Sequence, residues 1–365
     1  MRRGSLILLA ALPGLLSCQR APLLPAAALS QRGYLWQREW TPGIVDAVRE
    51  ADKRMDGIVV LAAQIVWDED SARVVKPAIS WETLRALEKR CDLALRIDPF
   101  AGPFSSDDRR AQSIVSIARS ILTEAQAHGV SPGELQIDFD CAQKKLAGYR
   151  GWLHALRSAI QPTRLVITTL PAWLDEPDFD SLLRETDGYV LQVHSVPTFA
   201  ESGRAVLCDP TLARKWTAKA AALGKAFSVA LPTYQCLAGY DSAGKMLGLS
   251  MDSVQPSWPP GTRTLEFSAN ADDLADLVSS WQSNRPARMR GIFWYRIPVK
   301  TDVHNWRWPT LAVVMSGRRP RHQLEITSHG ENPVDISITN SGEAEETLTA
   351  EIAVSWHDAV FIAGD

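Results

Sequence analysis

Residues 134–141 read Glu-Leu-Gln-Ile-Asp-Phe-Asp-Cys, and this stretch decides the fold class of the chain. Apolar and polar residues alternate along it, which predicts a β-strand with one face buried. Asp138 and Asp140 therefore point to the same side, with Cα atoms about 6.6 Å apart at about 3.3 Å of rise per residue. Because two like charges side by side cost stability, such a pair at a strand end indicates chemistry or ligand binding.

Seven further strand patterns flank this one, and amphipathic helical patterns separate them. The eight predicted strands are 34–39, 57–67, 92–98, 134–140, 164–169, 188–194, 226–232 and 290–296. Strands that alternate with helices predict a parallel sheet. Eight such units over about 280 residues match the size of a closed (β/α)8 TIM barrel. An open doubly wound sheet is the alternative, but no Gly-x-Gly-x-x-Gly turn follows the first strand, so we favour the barrel, over residues 33–320.

The N-terminus has the pattern of an export signal. Two arginines precede a short apolar core, which falls below the ~20 residues of a membrane-spanning helix. The run Leu-Leu-Ser-Cys at 15–18 resembles a bacterial lipoprotein signal, in which Cys18 becomes the lipidated first residue. An ordinary secretory signal with an incidental cysteine is the alternative. We therefore predict a signal peptide at 1–17, a linker at 18–32, and an exported lipoprotein anchored in the bacterial cell envelope, facing the periplasm or the outside.

Two segments depart from the barrel pattern. Past Pro320 the stretches 323–328, 334–339 and 347–354 alternate apolar and polar residues between turn sequences, which predicts a small antiparallel, β-sandwich-like appendage over 321–365. The long segment 235–264 is rich in Pro and Gly, and it is expected either to fold over the barrel mouth as a lid or to be disordered.

Charge and cysteine content argue against several classes of protein. The net charge is −3 and the only basic run is 318–321, so no nucleic-acid partner is predicted. The cysteines after Cys18 lack metal-ligand spacing, so neither a metal nor a cofactor is predicted. Cys208 and Cys236 each follow one of two neighbouring predicted strands, and an exported compartment permits disulfides, so we expect these two to pair.

The carboxyl ends of the predicted strands collect the candidate site, because reactive residues of TIM barrels gather there. The candidates are Glu39, Trp40, Arg96, Asp98, Asp138, Asp140, Gln192, His194, Tyr234, Trp294 and Arg296. This mixture suits a polysaccharide or oligosaccharide, whose hydroxyls need donors and acceptors and whose ring faces need flat apolar partners. Of the neighbours Trp294 and Tyr295 only one can face the pocket, and parity favours Trp294 because Arg296 then shares its face.

Several candidates have a structural alternative. Asp138 and Asp140 could instead cap the following helix or pair with Arg96 and Arg296 on neighbouring strands. Asp98 precedes a proline and could simply hold a turn.

The array resembles glycoside hydrolase family 18, the chitinase-like barrels. Those enzymes carry Asp-x-Asp-x-Glu on strand four, a polar residue late on strand six and a Trp on strand eight, which Asp138, Asp140, Gln192 and Trp294 match. The position of the general-acid Glu is Ala142 here, so a copied mechanism loses its proton donor. Taken whole, the segments 136–141, 191–194 and 292–296 are similar to an uncharacterised family of bacterial exported proteins, a domain of unknown function in the glycosidase barrel superfamily.

Two hypotheses follow from this resemblance and from the residues. The first is a glycoside hydrolase-like protein acting on a cell-envelope or extracellular glycan. In it Asp140 is the leading acid/base, Asp138 tunes its pKa, and Glu39 or Asp98 is a further carboxyl. Trp40, Arg96, Gln192, His194, Tyr234, Trp294 and Arg296 are then expected to bind substrate. The second is a non-catalytic glycan-binding lipoprotein on a degenerate barrel, which Ala142 favours. A structural role in envelope assembly is a third option.

Overall fold

The computed structural model describes residues 28–68, 71–100, 102, 104, 109–195, 206–250, 257–331, 334–346, 357 and 360. The predicted signal peptide, Cys18 and the predicted strand 347–354 lie outside these residues. In the part of the chain that is described, no helix combines the length and apolarity needed to cross a membrane.

Eight parallel strands form a closed barrel. They are β1 (Ser30–Leu35), β2 (Gly57–Asp68), β4 (Arg90–Ile97), β5 (Glu134–Phe139), β6 (Arg164–Thr169), β7 (Gly188–Gln192), β8 (Phe227–Pro232) and β12 (Met289–Tyr295). Each strand pairs with the next, and β12 pairs with β1 to complete the ring. A short strand, β3 (Ser71–Val75), runs antiparallel along the upper part of β2. The predicted TIM barrel is confirmed.

Helices cover the outside of the barrel, one after most strands. They are α1 (Pro42–Arg54), α2 (Trp81–Arg85), α3 (Arg109–Ala127), α4 (Leu146–Ala159), α5 (Pro177–Leu183), α6 (Pro210–Ala222), α7 (Ala271–Ser283) and α8 (Trp308–Met315). Local sequence sets several starts: the Asp209 side chain accepts from the backbone of Thr211 and Leu212 at the start of α6, and Asn270 accepts from Asp273 in α7.

The barrel has two apolar layers, and strand alternation decides which residue enters which. On β5, Leu135, Ile137 and Phe139 pack towards the helices in the main core. The opposite side faces the barrel interior, where a smaller cluster forms from Tyr34, Val59, Ala94, Val166, Val190, Ala230 and Phe293. Asp138 therefore points into the barrel, near its carboxyl end, as the sequence predicts.

The first strand lies earlier in the chain than the sequence predicts. We expected 34–39, whereas β1 spans Ser30–Leu35 and begins inside the predicted linker. The start of this strand was misplaced because of Arg32, a charged residue that the sequence alone suggests is exposed to solvent. In the structure it is buried inside the barrel and donates to Asp92 and Glu134 from two neighbouring parts of the ring. Glu39 and Trp40 consequently lie beyond the strand rather than at its end.

Two small antiparallel sheets accompany the barrel. The segment predicted as a lid or as disorder contains β9 (Gln235–Tyr240), β10 (Met246–Ser250) and β11 (Arg263–Ser268), with β9 in the middle. Its buried residues form one apolar cluster with Tyr234, and Tyr295 at the barrel mouth packs against this cluster, so the described part of the segment borders the mouth. Past the barrel, β13 (Leu324–His329) pairs with β14 (Asp335–Asn340), which confirms the antiparallel character of the appendage.

The cysteines do not pair as predicted. Cys208 and Cys236 are both free and buried. Cys208 belongs to the core between barrel and helices, whereas Cys236 packs in the separate cluster beneath β9. The expected disulfide is therefore absent from this structure, because the two loops that seemed adjacent in sequence order send their thiols into different layers.

Candidate functional site

Asp138 is the most constrained group at the barrel mouth. Its carboxylate is buried, with 4% of the residue exposed. Arg96 of β4 donates to one oxygen, and Thr168 of β6 donates to the other at 2.7 Å. Gln192 of β7 adds a longer contact at 3.4 Å. Three strands thus hold this side chain as a hydrogen-bond acceptor in a fixed position.

Asp140 lies two residues beyond Asp138, just past the end of β5, and is much more accessible to solvent. Its side chain is 41% exposed, and its carboxylate approaches Arg96 Nη2 at 3.8 Å. Burial of part of the group raises the pKa of Asp140, the negative charge of Asp138 raises it further, and Arg96 opposes both effects. Asp140 is therefore the carboxyl at this mouth that combines access from solvent with a raised pKa.

Aromatic rings form one wall of the mouth beside these acids. Tyr295 is in edge contact with Trp36 at 5.7 Å between centroids and with Tyr234 at 5.6 Å, and it stacks on His194 at 6.0 Å. Burial raises the pKa of Tyr295 to about 12, so its hydroxyl stays protonated at neutral pH. Below this wall, Tyr34 donates to Gln136 at 2.6 Å.

His194 is a neutral member of this wall. Burial lowers the pKa of His194 to about 4. Its ring packs between Tyr234 and Tyr295, with centroids 6.0 Å from each. The neutral imidazole keeps one donor and one acceptor nitrogen.

The other two predicted acids do not join Asp140. Asp98 accepts from Gln64 of β2 at 2.6 Å, and Arg38 donates to the other side of that amide. Asp98 is thus held in a chain of hydrogen bonds on the β2 side of the mouth. Glu39 is exposed in a bend beyond β1. Within the described residues, the second carboxyl that acts on Asp140 is Asp138.

Trp294 does not line the mouth, which corrects the parity prediction. Trp294 is fully buried on the helix side, where its Nε1 donates to Gln31 at 2.7 Å. Phe293 and Tyr295 face inwards instead. The argument from Arg296 failed because β12 ends at Tyr295, so alternation does not extend to Arg296.

Two further candidates are used for structure. Arg296 forms an ion pair with Asp302 at 2.5 Å, and its backbone carbonyl accepts from Thr233 and Asn305. Trp40 is half-buried and packs against the core between barrel and helices. Tyr234, in contrast, reaches the aromatic wall as predicted.

Sequence reasoning missed Trp36, Thr168 and Tyr295 as residues of the mouth. Strand alternation could have predicted Thr168, because Val166, two positions earlier on β6, faces the barrel interior. Trp36 was missed because the sequence placed it within the first strand, whereas β1 ends just before it. For Tyr295 the missing information was which face of β12 turns inwards.

The position at which a proton-donating Glu was expected carries no acidic side chain. Ala142 is exposed, immediately before a single 3-10 turn at Gln143–Lys145. Among the described residues, no group of three or more His, Cys, Asp or Glu is arranged to hold a metal ion.

A closed barrel with paired acids and an aromatic wall at its carboxyl end defines a glycoside hydrolase-like TIM barrel. Solved structures share this fold. A chitinase from Chromobacterium violaceum ATCC 12472 superimposes with a TM-score of 0.54 at 13% identity, over 80% of this chain and 98% of that one. The spore cortex-lytic enzyme SleL of Bacillus megaterium QM B1551 gives 0.55 at 11% identity, over 80% and 74%. A chitinase from Rhizomucor miehei gives 0.52 at 14%, over 79% and 100%.

At such identities these similarities show the fold alone. No curated protein sequence matches the chain. Residues 102–300 match the family described as a domain of unknown function, DUF3142. Because this match spans more than half of the chain, the protein belongs to the DUF3142 family. The resemblance stated from sequence is thereby confirmed at the level of family and fold.

Proposed function

We propose that this protein hydrolyses a cell-envelope or extracellular glycan, with Asp140 as the acid/base. The observation that carries the proposal is the placement of Asp140, which is accessible from the mouth, has a raised pKa and stands beside the buried Asp138–Arg96 pair. A glycosidic oxygen needs a proton as it leaves, and a carboxyl of raised pKa retains one to a higher pH than an ordinary aspartate.

Asp138 takes a different role in this proposal. Both of its oxygens already accept hydrogen bonds, from Arg96, Thr168 and Gln192, and the residue is buried, so a leaving group cannot reach it. Its fixed negative charge raises the pKa of Asp140 and can stabilise the positive charge that develops on the sugar ring in the transition state.

The aromatic wall supplies a surface for the sugar. Trp36 and Tyr295 are half-buried at the mouth, with part of each side chain exposed towards solvent. Flat aromatic faces pack well against the apolar faces of pyranose rings, and the Tyr295 hydroxyl and the neutral His194 can hydrogen-bond to sugar hydroxyls. A polysaccharide or oligosaccharide is therefore the proposed ligand.

Glycan binding without hydrolysis is the second candidate, and one observation favours it. Ala142 stands where the related barrels carry the proton-donating Glu, and Arg96 partly offsets the effect of Asp138 on Asp140. A barrel that kept its mouth but lost its donor would bind a sugar and leave the bond intact.

Comparing Asp140→Asn with Asp46→Asn distinguishes the two candidates. Asp46 is an exposed aspartate on α1 that pairs with Arg49 at 3.5 Å, so its substitution controls for loss of one surface charge. Purified protein is screened against defined envelope glycans for both binding and reducing-end release. For a hydrolase, Asp140→Asn should keep binding and lose turnover by at least about a hundredfold, whereas Asp46→Asn should match the parent chain.

Hydrolysis that persists in Asp140→Asn would dismiss Asp140 as the acid/base. Binding with no release by the parent chain, on the same glycan, would favour the binding-only candidate. Absence of both binding and release across the glycan panel would remove the proposal of a saccharide ligand.

The proposed cellular site is the envelope, with the protein anchored through a lipid on Cys18. The lipoprotein-like run at 15–18 supports it. Metabolic labelling with radioactive palmitate should mark the parent chain and not Cys18→Ser, which should also leave the membrane fraction. Equal labelling of both chains would rule out Cys18 as the attachment point.

A further inference from the structure

The barrel holds a second cavity at the end opposite to the acids. It lies at the amino-terminal ends of the strands and has a volume of about 240 Å³. Four arginines from four different strands line it: Arg32 of β1, Arg90 of β4, Arg164 of β6 and Arg290 of β12. We refer to this cavity as the floor cavity.

Two carboxylates line the floor cavity, Glu134 and Asp56, and Asp92 shares Arg32 and Arg90 with Glu134. Asp56 accepts the backbone N–H of Gln31 at 2.8 Å. Glu134 accepts from Arg32 at 3.0 Å and Gln136 at 2.8 Å on one oxygen, and from Arg90 at 2.9 Å on the other. Asp92 is completely buried, pairs with the same two arginines, and accepts the backbone N–H groups of Gly133 and Glu134, both at 2.8 Å. Glu134 and Asp92 therefore have little capacity left to bind a cation.

Several donors of the same cavity, in contrast, remain unused. The Nε–H of Arg32 is buried and has no hydrogen-bond partner within the described residues, although Arg32 itself is 9% exposed. The Arg290 side chain is exposed, and among the described residues it has no ion pair or hydrogen bond. Arg164 reaches Glu134 only at 4.0 Å and otherwise donates to the backbone carbonyl of Asp187 at 3.3 Å.

We propose that the floor cavity binds a phosphate-type oxyanion, with Arg290 and Arg164 as its principal contacts. A buried donor without a partner is unfavourable, and an oxyanion supplies acceptors for several N–H groups at once. Guanidinium groups match phosphate geometry because they present donors in a rigid fork. The cavity is larger than one phosphate, so it leaves room for the organic group that carries it.

Such a phosphate could belong to a soluble metabolite or to a lipid headgroup. The two sources share the chemistry that the arginines recognise, and the experiment separates them. The site is independent of the proposed hydrolysis, because it lies at the other end of the barrel from Asp140.

The test uses the full chain carrying Cys18→Ser, so that no attached lipid contributes. One arm titrates inorganic phosphate by isothermal calorimetry. The other measures co-sedimentation with vesicles of phosphatidylglycerol and phosphatidylcholine in equal amounts, and with vesicles of phosphatidylcholine alone. Both arms compare the parent with the double variant Arg164→Ala and Arg290→Ala, and with the control Arg49→Ala on the outer face of α1.

Loss of two charged donors should weaken binding about tenfold or more in the double variant, whereas Arg49→Ala should bind as the parent does. Saturable phosphate binding with this pattern supports a soluble ligand, and retention on phosphatidylglycerol vesicles with this pattern supports a headgroup. Absence of binding in both arms, or equal weakening by Arg49→Ala, overturns the proposal. Because Arg164 and Arg290 are exposed, the double variant should fold, and circular dichroism checks this.

Discussion

Replacing Asp138 by Asn should lower the pKa of Asp140. In the parent protein the charge of Asp138 raises that pKa, and Arg96 is shared between the two carboxylates. Asn has nearly the same shape and can keep the contact with Thr168, so the fold should persist. The substitution removes a like charge and frees Arg96 for Asp140, and both changes favour the ionised form.

The size of the effect follows from the geometry of the strand. Two unit charges about 6.6 Å apart interact by about 2.5 kcal/mol at an effective dielectric constant of about 20. Because Asp140 is 41% exposed, we halve this for solvent screening, to about 1.3 kcal/mol. The pKa of Asp140 should therefore be lower in Asp138→Asn than in the parent chain.

The assay is a pH titration of the Asp140 carboxyl carbon by ¹³C NMR, with the resonance assigned from its absence in Asp140→Asn. Asp98→Asn is the control: the Asp98 carboxylate faces Gln64, and it is not among the charges that shift Asp140. An unchanged or higher pKa of Asp140 in Asp138→Asn, or an equal drop in Asp98→Asn, would refute the electrostatic coupling on which the proposed acid/base role depends.

The same shift has a consequence for stability against pH. A raised carboxyl pKa means that the folded state holds this proton more tightly than the unfolded chain does. The favourable contribution of Asp140 is therefore complete below its unfolded pKa and is lost as the pH rises through the folded pKa. In Asp138→Asn this loss should shrink, and urea unfolding between pH 3 and pH 7 measures the difference.

Three further outcomes are expected. Reductant should leave the melting temperature unchanged, because Cys208 and Cys236 are free; a fall of several degrees would mean that a disulfide forms. The His194 ring resonances should not titrate between pH 5 and pH 8, since its pKa is lowered to about 4. Its contribution to stability should be complete above the unfolded value of about 6.5 and lost as the pH falls towards 4, and titration near 6.5 would contradict its burial. Trp294→Phe should lower the free energy of unfolding by about 1–3 kcal/mol through the lost contact with Gln31, with glycan binding intact. Tyr295→Ala should instead weaken glycan binding, and the reverse pattern would restore Trp294 to the mouth.

The strand residues show how far the sequence reached into the fold. Six of the eight predicted strands begin within one residue of their observed starts, because each is a short apolar run bounded by turn or capping residues. The prediction of the first strand failed because the barrel interior is polar at the amino-terminal end of this strand. Arg32 is compatible with burial only through Asp92 and Glu134, which come 60 and 102 residues later in the chain.

The candidate site residues also divide into those that reach the mouth and those that do not. Asp138, Asp140, Arg96, Gln192, His194 and Tyr234 reach the mouth, because each stands at the carboxyl end of a strand or just past it. Trp294, Trp40 and Arg296 were assigned to the mouth by proximity in sequence, and they contact other layers instead. Proximity to a strand end places a residue near the rim, but it does not tell which way the side chain turns.

The sequence by itself determined the number of barrel strands, their order and the pairing of two acids on one face of the fourth barrel strand. These properties follow from the alternation of apolar and polar residues with a period of two, which is a local pattern that can be read directly from the sequence. Tertiary structure alone decided that Asp138 is held by Arg96 and Thr168 while Asp140 remains open to solvent with a raised pKa. Pairing of neighbouring strands brings together groups that are 42 and 30 residues apart in the chain. Only their burial and charges in that arrangement set which carboxyl can exchange a proton.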